Sequence, residues 1–306
     1  MSTAPVEEVH LQPSPSDGIS CVRFSPDASD WLLASSWDKS LRLYDVPSNR
    51  LRLKVDVDHA LLACSFGATR TQAFSGGVGG LVGYHDLEVA NSTTKLGSHD
   101  KAAAHIRYSA ATGQVFSGSW DGTVSAWDPR STTQTTHLKQ SGKVYAMSTK
   151  ENLLVVGLST KRISLYDIRR ASAPIQDIDS PLKSRFIVMG YEFSLGYAIG
   201  STEGRVALEY VDATRKGYAF KCHREKISDS ETYVFPINAI AFHPRFGTFA
   251  TGGCDGMINV WDGENKKRIN QFLQHQTARY PTSHPDDSIF VRSVHESEVR
   301  PKKKAP

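Results

Sequence analysis

Apolar and polar residues alternate along most of this chain in short runs, the spacing of half-buried strands rather than helices. Six segments can be laid under one another: WLLASSWDKSLRLYDV (31–46), QAFSGGVGGLVGYHDL (72–87), QVFSGSWDGTVSAWDP (114–129), NLLVVGLSTKRISLYDI (152–168), LGYAIGSTEGRVALEYV (195–211) and GTFATGGCDGMINVWD (247–262). Each is an apolar run, a small-residue stretch, a polar turn and a second alternating run that ends near an aromatic residue or an acid. One aligned position falls at Tyr44, His85, Trp127, Tyr166, Glu209 and Trp261, in steps of 41, 42, 39, 43 and 52. The turn residue lies six positions earlier each time, at Asp38, Gly79, Asp121, Thr160, Glu203 and Asp255. A constant offset across a turn means a constant hairpin. Upstream of most units a third alternating run precedes the hairpin (ISCVRF, LLACSF, AHIRYS, VYAMS, INAIAF), and the connector supplies a fourth. The pattern predicts an all-β chain of four-stranded blades, one propeller domain over 1–294.

A closed propeller borrows a strand from its N-terminus, and EEVHLQ (7–12) is placed to be that strand, completing the last blade. The regular units number six. After Trp261 the strand KRINQF is clear, but LQHQTARYPTSHPDD (273–287) shows no sustained alternation before SIFVRSV (288–294). The expected fold is therefore a seven-bladed β-propeller with a truncated seventh blade, shortened either in the protein itself or by loss of one transcript segment. The segment 211–236 is the main insertion and accounts for the step of 52. Residues 295–306, ending in RPKKKAP, are expected to form a basic, disordered tail.

Composition narrows the function classes. With 306 residues, 39% of them hydrophobic and 22% charged, the chain has ample material for a buried core. No run reaches the roughly 18 apolar residues of a membrane span, and the start lacks the basic-then-apolar order of a secretory leader. The four cysteines, Cys21, Cys64, Cys222 and Cys254, form no C-x-x-C pair and are expected to be reduced thiols, most of them buried. The net charge of +4 does not by itself announce a nucleic-acid binder. No H-E-x-x-H, G-x-S-x-G or phosphate-loop motif is present, and Cys222-His223, if adjacent on a strand, would point to opposite faces. Neither enzymatic activity nor a cofactor or metal is expected, and no membrane or direct nucleic-acid partner.

The stretch SGSWDGTVSAWDPR (117–130), with GSHD (97–100) before it, matches the WD-repeat pattern. In that family His99, Ser117, Asp121 and Trp127 would form a structural hydrogen-bond chain, and Asp255 and Trp261 take the same places in the sixth unit. A buried indole N–H needs an acceptor, and an Asp in a tight turn binds neighbouring backbone amides. Trp37 and Trp120 stand directly before a turn Asp. They are read either as an aromatic floor for a peptide or as packing beneath a loop.

DGISCVRFSP, SSWDKSLRLYDVP, SGSWDGTVSAWDPR, STEGRVALEY, YAFKCHR, TFATGGCDGMINVWD and IFVR together resemble the Bub-type mitotic checkpoint WD-repeat propeller. The resemblance covers about residues 9–294. The sister messenger-RNA export propeller shares the EGR and FKCHR elements, whereas SSWDKSLRLYDVP and RVALEY look more like the checkpoint branch. The resemblance implies a non-enzymatic adaptor, a monomeric propeller in a hetero-complex, in the nucleus and at the kinetochore with a cytoplasmic pool. Its partners would be the GLEBS motif of a checkpoint kinase or pseudokinase and phosphorylated Met-Glu-Leu-Thr repeats of the kinetochore scaffold. The alternative is a nuclear-pore export propeller binding a nucleoporin GLEBS motif. Arg205 of EGR and Arg224 of CHR match the family's phosphate-contacting arginines, with Lys221 beside them and Arg185 as a third basic position. Taken alone, the residues also allow Arg205 to pair with Glu203 and Arg224 to be a solvated charge.

Overall fold

The computed structural model describes residues 8–27, 30–90, 92–184, 186–192, 196–212, 214–273 and 287–301. A short strand β1 (Glu8–Leu11) leads into a first sheet of β2 (Ile19–Phe24), β3 (Trp31–Ser36), β4 (Ser40–Asp45) and β5 (Arg50–Asp56). The second comprises β6 (Leu61–Phe66), β7 (Gln72–Gly77), β8 (Leu81–Asp86) and β9 (Thr93–Ser98). The third comprises β10 (Ala103–Ser109), β11 (Gln114–Ser119), β12 (Thr123–Asp128) and β13 (Thr133–Lys139). The fourth comprises β14 (Val144–Lys150), β15 (Leu153–Leu158), β16 (Arg162–Asp167) and β17 (Gln176–Asp179). The fifth is β18 (Phe186–Glu192), β19 (Gly196–Ser201), β20 (Arg205–Tyr210) and β21 (Tyr218–Lys221). A hairpin of β22 (Arg224–Lys226) and β23 (Thr232–Val234) precedes the sixth sheet, β24 (Ile237–Phe242), β25 (Thr248–Gly253), β26 (Met257–Asp262) and β27 (Lys267–Leu273). The described chain closes with β28 (Ile289–Arg292) and the single helical turn α1 (Glu296–Val299).

Strand order within every four-stranded sheet follows the chain, so each is a local antiparallel meander. The lead strand of each sheet carries the same register shift near its start, for example between Ile19 and Cys21, Leu61 and Ala63, and Ala103 and His105. A bulge at this point adds twist and re-aims the residues that follow. The chain divides into two compact units, Met1–Thr160 with Ser164–Asp177 and Ser283–Ser293, and Lys161–Ile163 with Ile178–Thr282 and Val294–Pro306.

In the first unit the cores lie between successive sheets. Leu33, Leu41 and Leu43 meet Leu61, Cys64 and Phe66; Phe74 and Val82 meet Ile106 and Val115; Phe116, Val124 and Ala126 meet Val144, Met147 and Leu154. In the second unit Ala198, Val206 and Leu208 pack with Ile237 and Phe249. Each such large side chain, taken fully out of water, contributes about 1.5–3 kcal/mol.

The fold class is an all-β WD40 propeller, but its four-stranded blades number six among the described residues, not seven. The physical reason is that β28 pairs there only with β1, Ile289 against Leu11 through Arg292 against Glu8, so no seventh four-stranded sheet is completed among them. The stretch 274–286 lies outside the described residues. This two-stranded sheet covers part of the first blade, where Leu11 and Ile289 pack on Leu32, Ala34 and Tyr44. It leaves β2 uncovered: Val22 is 42% exposed and Phe24 46%, while Cys64, Ile106 and Met147, which match Val22 in the next three lead strands, are buried. Part of the segment read as a tail is ordered, since Val299 of α1 is buried and its carbonyl accepts from Thr248 Oγ1 at 2.8 Å. Residues 302–306 lie outside the described residues.

Candidate functional site

The third blade shows how the repeat holds its turn. Trp127 Nε1 donates to Ser117 Oγ at 2.7 Å, and Ser117 Oγ lies 2.7 Å from His99 Nε2. His99 Nδ1 sits 2.8 Å from Thr123 Oγ1 and 3.3 Å from Asp121 Oδ2. Asp121 Oδ1 in turn accepts from the Thr123 amide at 2.8 Å. All of these bonds are made at once when His99 is neutral with its proton on Nδ1, so that Nε2 accepts from Ser117. Burial lowers the His99 pKa, opposed by the Asp121 carboxylate. For Asp121, burial acts upward and the Thr123 hydroxyl, His99 and two amides outweigh it, so its pKa is lowered. Gly97 of GSHD is required by close approach: a Cβ there would sit 2.1 Å from Trp127 Cζ3.

The sixth blade repeats this network through a residue that the spacing hid. Trp261 Nε1 donates to Thr251 Oγ1 at 2.9 Å, Thr251 Oγ1 lies 2.8 Å from His223 Nε2, and His223 Nδ1 lies 2.8 Å from Asp255 Oδ1. His223 is thus the counterpart of His99. It and Cys222 lie between β21 and β22 rather than on a strand, so the opposite-face argument does not hold, and His223 is fully committed to the turn. The signal was present in KCHR, but His223 precedes Trp261 by 38 residues where His99 precedes Trp127 by 28, the β22–β23 hairpin filling the difference. Other blades improvise. His85 stands in the indole slot with Nε2 2.8 Å from Ser75 Oγ, and Arg42 joins Asp38 at 2.9 Å to the carbonyl of Ser14. The cysteines are all free, with Cys64 and Cys222 buried, Cys21 half-buried and Cys254 exposed.

The basic residues gather at one end of the fifth blade. Gly204 holds φ +58 in the β19–β20 turn, and a Cβ there would lie 2.6 Å from the Cys222 carbonyl. Arg205 therefore emerges directly from a tight turn and opens β20. It faces Lys221 of β21 across the ladder. Directly opposed side chains stand about 4.5–5.5 Å apart at Cβ, and like charges in such a pair repel. Arg224 opens β22, and its Nη2 donates to the Glu203 carbonyl at 2.8 Å, which ties it to the turn before Arg205. Its Nε is buried without a hydrogen-bond partner. Among the described residues none of the three cations forms an ion pair with a carboxylate, including that of Glu203. Arg185 lies outside the described residues.

Trp37 and Trp120 belong to the first unit, 47% and 37% exposed, and equivalent backbone bonds hold them, Trp37 N to Gly18 O and Trp120 N to Ala102 O. Val78 takes the same place in the second blade, N to Ala60 O and 43% exposed. Three successive blades of this unit therefore present an apolar residue at one turn position. Val78 carries no Trp-Asp signature, because the turn residue there is Gly79. No group of three or more metal-ligating side chains occurs among the described residues.

The family described as "WD domain, G-beta repeat" matches residues 7–45, 90–128 and 220–262. Mitotic checkpoint protein BUB3.1 of Arabidopsis thaliana is 43% identical over 329 positions, covering 96% of this chain and 95% of the relative. Those 329 positions against 306 residues mean at least 23 places where the relative has a residue and this chain none. Mitotic checkpoint protein bub-3 of Caenorhabditis elegans is 36% identical over 93% of both chains. The mRNA export factor GLE2 of Chaetomium thermophilum is 34% identical over 87% of this chain and 77% of the relative. The chain belongs to the Bub3 family of mitotic checkpoint WD40 proteins.

Proposed function

We propose that this chain is a non-enzymatic adaptor of the spindle assembly checkpoint. It binds the GLEBS motif of a checkpoint kinase or pseudokinase and phosphorylated Met-Glu-Leu-Thr repeats of the kinetochore scaffold, and so brings the kinase to unattached kinetochores. It works as a monomer within a hetero-complex, in the nucleus and at kinetochores with a cytoplasmic pool.

The observation that carries this reading is the cation group of Arg205, Lys221 and Arg224. Opposed like charges without a carboxylate are destabilising, and an arriving dianion relieves them. Phosphothreonine brings nearly two negative charges and three acceptor oxygens, to which a guanidinium presents a fork of donors. The Arg224 Nε that lacks a partner is one such donor. Calorimetry with a Met-Glu-Leu-Thr peptide in phosphorylated and plain forms tests this reading. The wild type prefers the phosphopeptide, and Arg205→Ala or Arg224→Ala removes that preference, at about 1.5–3 kcal/mol for each charge-assisted contact. Full preference retained by both variants defeats the assignment.

The relation to GLE2 supports a second reading, an export propeller that binds a nucleoporin GLEBS motif. Retention of a checkpoint-kinase GLEBS peptide at higher affinity than a nucleoporin one favours the checkpoint adaptor, and the reverse order favours export.

A further inference from the structure

The lead strands of the first unit place four polar residues at one level. Arg23 of β2, Ser65 of β6, Arg107 of β10 and Ser148 of β14 pair with Leu33, Phe74, Phe116 and Val155, the same register position in each sheet. They recur at 42, 42 and 41 residues, the period of the blade. Each lead strand packs against the next, β2 on β6, β6 on β10 and β10 on β14. The preceding residues Cys64, Ile106 and Met147 are buried in the cores shared with the sheet before, so by alternation Ser65, Arg107 and Ser148 take the opposite face of their lead strands, as Arg23 does with respect to Val22, and the bond from the Tyr108 amide to Ser65 Oγ shows that this face meets the next lead strand. All four are half-buried.

This level carries two positive charges and, among the described residues, no carboxylate meets them; the acid beside them is the Cys21 thiol, whose pKa is lowered by its hydrogen bond with Cys64 and then by Arg23 and Arg107. Arg23 Nη1 and Arg107 Nη1 donate only to carbonyls of their own strands, Val22 O and Ile106 O, each at 2.8 Å. Neither guanidinium meets a carboxylate among the described residues. Each has five N–H donors, so most remain unused. Burial and then Arg23 push the Arg107 pKa down to about 10. Ser65 Oγ donates to Phe66 O at 2.9 Å and accepts from the Tyr108 amide at 3.3 Å, while Ser148 Oγ has no partner among the described residues. Close at hand are two thiols: Cys21 Sγ lies 3.7 Å from Cys64 O, and Cys64 Sγ 3.7 Å from Cys21 O.

We propose that Arg23, Ser65, Arg107 and Ser148 form a binding site for a small phosphate-type oxyanion, separate from the Arg205 group. A carboxylate would be satisfied by one guanidinium fork. A tetrahedral dianion can engage two forks and the hydroxyls at the same level, and it supplies an oxyanion to arginines that meet no carboxylate among the described residues. Bound anion then stabilises the fold by mass action.

Inorganic phosphate is the probe, titrated calorimetrically into the full chain against chloride at fixed ionic strength. The Arg205→Ala/Arg224→Ala variant is titrated in parallel, so that phosphate held by that group is told apart. The expected result is saturable one-to-one binding that persists in the Arg205→Ala/Arg224→Ala variant and weakens at least about tenfold in Arg23→Gln or Arg107→Gln. A second readout needs no variant: phosphate slows alkylation of Cys21, followed by peptide mass spectrometry, while exposed Cys254 reacts at an unchanged rate. The proposal is overturned by absence of saturable binding, by binding in both Gln variants as tight as in the wild type, by loss of binding in the Arg205→Ala/Arg224→Ala variant, or by an unprotected Cys21.

Discussion

Ser117 holds two partners at once, and its removal tests whether the His99 network stabilises the third blade. Ser117 is fully buried and Trp127 is 4% exposed, so no water replaces the hydroxyl. In Ser117→Ala the Trp127 indole N–H loses its acceptor at 2.7 Å and His99 Nε2 loses its donor at 2.7 Å. A buried donor left unsatisfied costs about 1–3 kcal/mol, and the second bond about 1 kcal/mol more, giving roughly 3 kcal/mol in all. Trp127→Phe removes the donor and part of the ring, with a cost of similar size from the cavity. The decisive quantity is the coupling. Once the indole is gone, loss of the hydroxyl no longer strands it, so the double variant is destabilised by about 1–2 kcal/mol less than the two single variants summed. Urea unfolding followed by far-ultraviolet circular dichroism measures all four proteins. Additivity to within about 0.3 kcal/mol refutes the claim that Ser117 and Trp127 are energetically joined.

Acid sensitivity follows from His85, whose pKa burial lowers to about 4. The unfolded chain then binds more protons than the folded one between the ordinary value near 6.5 and about 4. Stability is complete above pH 6.5 and falls progressively below it, by about 3 kcal/mol from this residue, and an unfolding series across that window with no slope contradicts it. Gly97→Ala drives a methyl into the Trp127 ring, so its thermal midpoint drops and Trp127→Phe, which lacks the touching atoms, recovers part of the loss. Trp37→Ala and Trp120→Ala each weaken a GLEBS peptide at least about tenfold in calorimetry without moving the thermal midpoint. A lowered midpoint with unchanged peptide affinity assigns the rings to packing instead.

The blades were legible because the hairpin offset is constant, and the His99–Ser117–Asp121–Trp127 network because its members stand at the spacing that GSHD and SGSWDGTVSAW display. The blade count was not legible. Alternation can nominate strands, but only the pairing of β28 with β1 alone reveals that no four-stranded sheet is completed there among the described residues. His223 escaped because a hairpin separates it from its indole partner, and Val78 because position, not residue type, unites it with Trp37 and Trp120. The cation group was half legible. Arg205, Lys221 and Arg224 are close in sequence, yet the cross-strand facing of Arg205 and Lys221 and the tether of Arg224 to the Glu203 carbonyl are products of register.

The β1–β28 ladder also sets an order of events in folding. Every other described ladder joins consecutive strands, so their contacts close short loops, whereas Glu8–Leu11 must wait for Ile289–Arg292 at the far end of the chain. Local contacts form early and distant ones late, because loop-closure entropy is spent before the distant contact rewards it. The terminal ladder is thus expected to form only after the transition state. Weakening it, for instance by Val9→Ala, leaves the folding rate unchanged and hastens unfolding. It is a kinetic latch, governing how long the native state persists rather than how fast it is reached.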